Sequence, residues 1–207
     1  MTVSFRGGSR SRSDLRYGIL GALLGVLAAA GDGAWATSWQ ESTSIPEPNR
    51  AEVSPRGHRT ATDITYGDWR KLCFKAAGAK TLCRTSITGK FATGQIAVRI
   101  DLIESEGGSA RLQLFLPVGA YLQAGVKLSI DKGSPYPIPY TWCLANGCVA
   151  AQLAKPRLIK QMESGQTLAL EIVDTNILSV TTSVPLTQFV AVHKGAPERT
   201  FEQGIDE

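Results

Sequence analysis

A period of two in the apolar residues is the feature that most constrains the fold of this chain. Aliphatic residues occupy every second position from Ile96 to Leu102, and again from Leu112 to Leu116 after the turn sequence ESEGGS. The same alternation returns in three later segments, at 126–130, 168–172 and 178–184. Half-buried antiparallel strands produce this pattern, so we expect an all-β protein in which the first two segments form a hairpin.

Other short apolar segments raise the number of predicted strands to about eight or nine, at 69–74, 81–88, 140–143 and 148–153. Glycine, proline and asparagine separate these segments at turn positions, which favours an antiparallel β-sandwich or barrel-like domain. One segment is predicted to be a short helix. Pro156 can be its first residue, Leu158, Ile159 and Met162 share one side, and Gly165 can end it.

The first 36 residues have the three parts of a secretory signal peptide. Four arginines precede an uncharged run at 17–30, and Ala34 and Ala36 form a small-x-small exit. The run is shorter than the roughly 20 residues of a membrane-spanning helix. We predict Sec-type export with cleavage after Ala36, and hence a periplasmic or outer-surface location. The alternative is that this signal peptide, or leader, stays uncleaved. We predict a membrane contact only through such an uncleaved leader.

Composition divides the rest of the chain into three parts. Residues 37–62 are rich in Ser, Thr, Pro and charge and have no period, so they are predicted to be a flexible spacer. The β domain is predicted at 63–195, followed by a C-terminal tail at 196–207. His58 lies in the spacer and is therefore a poor candidate for catalysis.

The charge of the chain argues against a nucleic-acid partner. The net charge is +4, and residues 1–36 contribute four arginines and two aspartates to it, so the remainder is close to neutral. No single segment of that remainder is strongly basic.

Four cysteines lie in the predicted domain, and an even number after a signal peptide favours disulfides. Three pairings are open. We favour the local one, Cys73 with Cys83 and Cys143 with Cys148, because a four-residue loop at 144–147 would place the second pair opposite each other. Zinc and redox roles are disfavoured, since the spacings contain no C-x-x-C. We predict no metal and no cofactor.

The sequence contains no recognisable catalytic set. His193 is the one histidine outside the spacer and leader, and no nucleophile elbow, zinc motif or phosphate loop is present. Asp101, Glu104 and Glu106 are interpreted as a solvated strand end and not as a carboxylate pair for glycoside chemistry. We therefore predict a protein that is not an enzyme. The alternative is an envelope hydrolase whose site, with His193 or these carboxylates, is not recognisable.

Aromatic residues are the remaining candidates for function. Tyr136, Tyr140, Trp142 and Trp69 form a candidate binding patch if they are exposed beside the proline-rich run GSPYPIPY. Alternatively, the two tryptophans pack as core against the disulfides. A continuous apolar edge from Tyr136 to Trp142 would instead favour a chaperone-like role in envelope stress.

An ordered series of motifs resembles a known family. The series comprises YGDWRKLC at 66–73, KTLCRTSI at 80–87, LFLPVGAYLQAGVKLSIDKG at 114–133, PYTWCLANGCVA at 139–150 and SGQTLALEI at 164–172. It is similar to the invasion-associated locus B family of exported bacterial proteins and spans about residues 63–195. The resemblance implies a periplasmic or surface-associated envelope protein, linked in pathogenic members to host-cell entry. It implies no catalytic residue and leaves the protein or envelope partner unnamed.

Overall fold

The computed structural model describes residues 54–203. The predicted signal peptide and its cleavage site after Ala36 lie outside these residues, as do positions 37–53 of the predicted spacer. Within the described range the chain is mostly strand, so the prediction of an all-β fold is confirmed.

Thirteen strands and two α-helices make up the described part of the chain. The strands are β1 Gly57–Thr60, β2 Ile64–Tyr66, β3 Arg70–Ala76, β4 Leu82–Phe91, β5 Ile96–Ser105, β6 Ala110–Leu116, β7 Val126–Ile130, β8 Tyr136–Ile138, β9 Tyr140–Leu144, β10 Gly147–Leu153, β11 Thr167–Val173, β12 Leu178–Pro185 and β13 Arg199–Gln203. The helices are α1 Pro156–Ser164 and α2 Phe189–Lys194, and a short 3₁₀ turn covers Leu122–Ala124.

The strands form two separate sheets and no closed barrel. The five-stranded sheet has the order β1-β12-β11-β7-β8. The eight-stranded sheet has the order β13-β3-β4-β5-β6-β10-β9, and β2 pairs with β4 as its eighth strand. Most neighbours are antiparallel, while β1 and β13 each join an edge in parallel.

The predicted hairpin is β5 and β6. Ile100 lies opposite Leu114, and Leu102 lies opposite Leu112. Gly107 lies in the turn with a φ of 65°, a conformation that glycine adopts without steric cost. This register sends every second side chain of both strands to the same side, as the alternation predicts.

The core lies between the two sheets. Ile100 and Leu114 from the eight-stranded sheet and Leu128 and Leu168 from the five-stranded sheet belong to one buried cluster. The predicted β-sandwich is therefore confirmed, with one face of each sheet turned inward and the other turned outward.

The predicted helix is confirmed as α1, which begins at Pro156 and buries Leu158 and Met162. The second helix, α2, was not predicted from the sequence. It is six residues long and buries Phe189, and its β-branched residues give no clear helical signal. No helix in residues 54–203 is long and apolar enough to cross a membrane.

Two predicted boundaries differ from the structure. Residues 57–60, assigned to the spacer, form β1 and pair with β12, and residues 199–203, assigned to the tail, form β13 and pair with β3. Both are edge strands with mostly exposed side chains. Backbone hydrogen bonds to a sheet can hold such strands in place, so they need no apolar pattern that the sequence would reveal.

Candidate functional site

Two disulfides fix strand pairs of the eight-stranded sheet. Cys73 is bonded to Cys83 between β3 and β4, and Cys143 is bonded to Cys148 between β9 and β10. The two Cα atoms of each pair are 4.0 Å apart. The turn between β9 and β10 contains two residues, 145 and 146, and is shorter than the predicted four-residue loop. In the described range, no group of three His, Cys, Asp or Glu residues is arranged to hold a metal.

Trp69 does not belong to an exposed patch, which corrects its assignment as a candidate binding residue. Its side chain is 4% exposed, packs edge-on against Phe189 with ring centroids 4.8 Å apart, and donates its indole N–H to the Pro185 carbonyl at 2.8 Å. The hydrogen bond satisfies the indole N–H, so the whole side chain can be buried. Trp69 therefore links the start of β3 to the end of β12.

The other three aromatic candidates differ in exposure. Tyr136 and Tyr140 are half-buried against the core, and the Tyr136 hydroxyl donates to Gln161 of α1. Burial raises the pKa of Tyr140 well above its ordinary range. Trp142 is 46% exposed on β9. Trp142 therefore differs in exposure from the other residues of the predicted patch. Among the described residues, no continuous apolar edge joins Tyr136 to Trp142.

The exposed side of the eight-stranded sheet carries a cluster of arginines that the sequence did not predict. We call this surface the arginine face. By strand register it comprises Arg70, Arg84, Arg99, Arg111 and Arg199, with the apolar residues Leu72, Phe74, Leu82, Ile103, Phe115, Trp142, Leu144, Leu153 and Phe201. Alternation along each strand places these side chains opposite to the core residues.

Several arginines of this face lie over aromatic rings. The Arg84 guanidinium is 5.8 Å from the ring centre of Phe74, and the Arg99 guanidinium is 5.6 Å from that of Phe115. Arg199 stands over Phe201, which is itself stacked on Phe74 with centroids 5.2 Å apart. Cation–π contacts of this kind hold the guanidinium groups against the sheet while leaving N–H groups available to a partner.

The hairpin that carries Trp142 is shaped to support Phe115. A Cβ atom at residue 147 would lie against the ring of Phe115 and only 2.6 Å from the backbone oxygen of Leu116, so a glycine is required for the ring to lie against this turn. The Cys143–Cys148 disulfide then fixes β9 to β10 beside it. The aromatic part of the arginine face is therefore held by the backbone and a covalent bond.

Acidic residues pair with two of the five arginines on this face. Asp101 is 1% exposed, and its carboxylate accepts a hydrogen bond from Arg99 at 3.0 Å. Burial raises the pKa of Asp101, although Arg99 and Arg84 act in the opposite direction. Glu198 lies 3.9 Å from Arg70 in an exposed pair. Arg84, Arg111 and Arg199 make no ion pair with a residue of the described range.

His193 lies elsewhere, in an ion-pair cluster on the inner side of β5. Its Nε2 is 2.9 Å from Glu104 and its Nδ1 is 3.0 Å from Glu163 of α1. The hydrogen bond with Glu104 raises the pKa of His193 above its ordinary value, and Glu163 adds to the effect against burial. Both ring nitrogens are engaged by carboxylates, so the imidazole has no free nitrogen with which to act as a base.

The carboxylates considered for catalysis do not converge. Asp101 lies on the arginine face, whereas Glu104 points to the other side of the same strand and binds His193. A cavity of about 180 Å³ opens between the sheets, and its lining is mostly apolar with Arg59, Asp174 and Thr182 as its polar side chains. His193 does not line this cavity. Its partners Glu104 and Glu163 line a separate groove beside α1, where they engage both nitrogens of the ring.

Comparison with known proteins identifies the family. The family described as "Invasion associated locus B (IalB) protein" matches residues 69–197, more than half of the chain. The chain belongs to the invasion associated locus B family. The resemblance noted in the sequence is thereby confirmed.

Similar members of the invasion associated locus B family include proteins from Brucella and Bartonella. Two Invasion protein B homologs of Brucella abortus, from strain 2308 and from biovar 1 strain 9-941, are each 27% identical over 149 residues, covering 72% of this chain and 81% of the relative. The crystal structure of invasion associated protein B from Bartonella henselae matches with a TM-score of 0.55 at 20% identity, over 62% of this chain and 90% of that protein. That structural likeness shows the fold.

Proposed function

We propose that this chain is an exported, non-enzymatic protein of the bacterial envelope, periplasmic or surface-associated, that acts by binding a partner through the arginine face. The observation that carries the proposal is the combination of five arginines with exposed aromatic and leucine side chains on one sheet surface. Arg, Trp and Phe are enriched in binding interfaces, whereas Lys and Glu are more frequent on the rest of the protein surface.

Export is supported by the leader pattern of residues 1–36 and by the two disulfides, which persist in oxidising compartments. A non-enzymatic role is supported by the engagement of both His193 nitrogens and by the apolar lining of the cavity. The relatives are named for invasion, and we propose that this chain takes part in the entry of its bacterium into host cells.

Site-specific photocrosslinking in the living bacterium tests the binding role. A crosslinking residue at Leu153, which is 65% exposed on the arginine face, is expected to give adducts to a protein or a lipid of the envelope. The matched control is Ser183, an exposed position on the outer side of β12 in the other sheet. Equal adducts from both positions, or none from Leu153, would overturn the proposed binding face.

A reporter that is active only outside the cytoplasm tests export. Fused to the C-terminus, the reporter is expected to be active with the full chain and inactive when residues 1–36 are removed. Equal activity of the two fusions would refute the proposed location without bearing on the binding face.

A further inference from the structure

We propose that the partner of the arginine face is the anionic surface of a lipid bilayer. The arginines would contact lipid phosphates, and the apolar side chains at the two edges of the face would enter the interfacial layer. This inference rests on the binding function proposed above and names its partner. It also adds a membrane contact that is independent of the leader.

Three of the arginines lie on one row that crosses the sheet. Arg199 on β13, Arg84 on β4 and Arg111 on β6 alternate with Leu72 and Ile103 on the strands between them. Neighbouring strands are about 4.8 Å apart, so backbone positions two strands apart are separated by about 10 Å. Cations at such intervals match a plane of phosphates better than one small anion, and each guanidinium can donate two parallel hydrogen bonds to a phosphate.

The exposed large apolar side chains concentrate at the two edges of the same face. Phe74, Leu82 and Phe201 lie at the β13 edge, and Trp142, Leu144 and Leu153 lie at the β9 edge. Seven strands connect these edges, a width of about 30 Å. Apolar groups at either edge can enter the interfacial layer where that part of the face meets a membrane, next to the arginines that contact its phosphates.

The leucines favour a bilayer over a soluble acidic polymer. An acidic polysaccharide can pair with arginines and stack its sugar rings on Phe74 or Trp142, but it offers no apolar layer to Leu144 or Leu153. A bilayer offers both phosphates and hydrocarbon, and tryptophan prefers the boundary between them. The most exposed large apolar residues of the face, Leu153 at 65% and Leu144 at 58%, therefore gain most from a lipid partner.

Sedimentation with lipid vesicles tests the inference. The purified protein, in the form that the cell makes, is mixed with phosphatidylcholine vesicles with or without phosphatidylglycerol. It should bind the anionic vesicles at least about tenfold more strongly, and added salt should weaken the binding. Replacing Arg111 and Arg199 together by Ala should weaken it about 30-fold, since each arginine near an anionic surface contributes about fivefold.

The matched control removes the same charge from another surface. Arg157→Ala with Lys160→Ala alters exposed residues of α1 and should change vesicle binding by less than about twofold. Binding through the leader alone would be equally insensitive to both double variants, and that result would overturn the inference. The salt dependence of vesicle binding is measured on the unmodified protein, so this test does not require any variant to fold.

Insertion of the β9 edge has its own signal. On anionic vesicles the fluorescence of Trp142 should shift to shorter wavelength, and Trp142→Phe should lose most of the shift while retaining binding. If vesicles are not bound but a protein or an acidic polysaccharide is captured at Leu153, the lipid inference fails and the proposed binding function stands. If the face binds none of them, both fail.

Discussion

The outer sides of the two sheets are opposite in character although both cover the same core. The five-stranded sheet presents small and polar residues together with a charge pair, Lys127 and Glu171, 3.7 Å apart. The arginine face presents five arginines, one buried aspartate and the exposed aromatic side chains. A chain with little net charge can therefore hold a strongly basic surface, because strand register and not sequence proximity gathers the charges.

The largest expected effect on stability comes from removing the disulfides, which within residues 54–203 lie only in the eight-stranded sheet. Replacing Cys73 and Cys83 together by Ala should lower the free energy of unfolding by about 3 kcal/mol, because the unfolded chain regains loop entropy. The pair Cys143 and Cys148 closes a shorter loop and should cost about 2 kcal/mol. Denaturant unfolding measures both losses.

Hydrogen exchange provides the control for this experiment. Amides of β3 and β4 should exchange faster in the variant lacking Cys73 and Cys83, while amides of β11 and β12 should change only as far as global stability falls. If reducing the unmodified protein left its unfolding midpoint unchanged, the two disulfides would not contribute as the structure implies.

The arginine face and the ion-pair cluster on the other side of β5 differ in their response to pH. Arginines keep their charge at all physiological pH values, whereas the cluster of His193, Glu104 and Glu163 on the other side of β5 titrates. The raised pKa of His193 means that its stabilising contribution is complete below its ordinary pKa of 6.5 and is lost as pH rises through the folded-state pKa. A neutral ring carries one N–H and can serve only one of the two carboxylates.

Glu163 sets the lower limit of the pH range over which this cluster contributes stability. Its burial raises its pKa, but hydrogen bonds from Lys194 and His193 outweigh burial and hold the pKa below the ordinary 4.5. Its contribution is therefore present above about pH 4.5 and is lost as pH falls through the lowered value. Stability from this cluster should be highest between these two limits.

Replacing His193 by Gln tests the cluster. Near about pH 6 the variant should lose about 2 kcal/mol of unfolding free energy, and the difference from the unmodified protein should shrink towards about pH 9. Binding to anionic vesicles should stay constant over the same range wherever both proteins are folded. A deficit that does not depend on pH would show that the ring acts by packing on Phe189, where the two rings are stacked at 5.2 Å.

The residues that sequence reasoning found and missed follow a physical rule. Periodicity predicted the inward side chains, such as Ile100 and Leu114, because burial of alternate residues is recorded within each strand. The arginine face escaped notice because Arg84, Arg99 and Arg111 lie on three strands, and their adjacency depends on register. Each stands at a polar position of an alternating segment, and aligning the predicted β5–β6 hairpin would have placed Arg99 opposite Phe115.

Burial explains the mixed outcome for the aromatic candidates. Trp69 and Trp142 each lie near a disulfide in the sequence, so sequence alone assigns them the same environment. In the structure Trp69 precedes β3 beside α2 and is covered by Phe189, whereas Trp142 lies on the edge strand β9. Because β9 has no described neighbour on its outer side, Trp142 stays half exposed. The pattern of residues within a strand does not reveal the strand's place in the sheet, so the sequence could not predict this difference.

The smallest expected effect gives the sharpest test of the contrast between the two faces. Lys127→Ala removes one positive charge and an exposed ion pair, and should change the unfolding free energy by less than about 0.5 kcal/mol. Arg111→Ala removes the same charge from the arginine face, and its effect on stability should be equally small. The two variants should differ in vesicle sedimentation, where Arg111→Ala loses about fivefold and Lys127→Ala loses almost nothing. Equal losses would mean that the protein's overall charge, and not the register that builds the arginine face, determines binding.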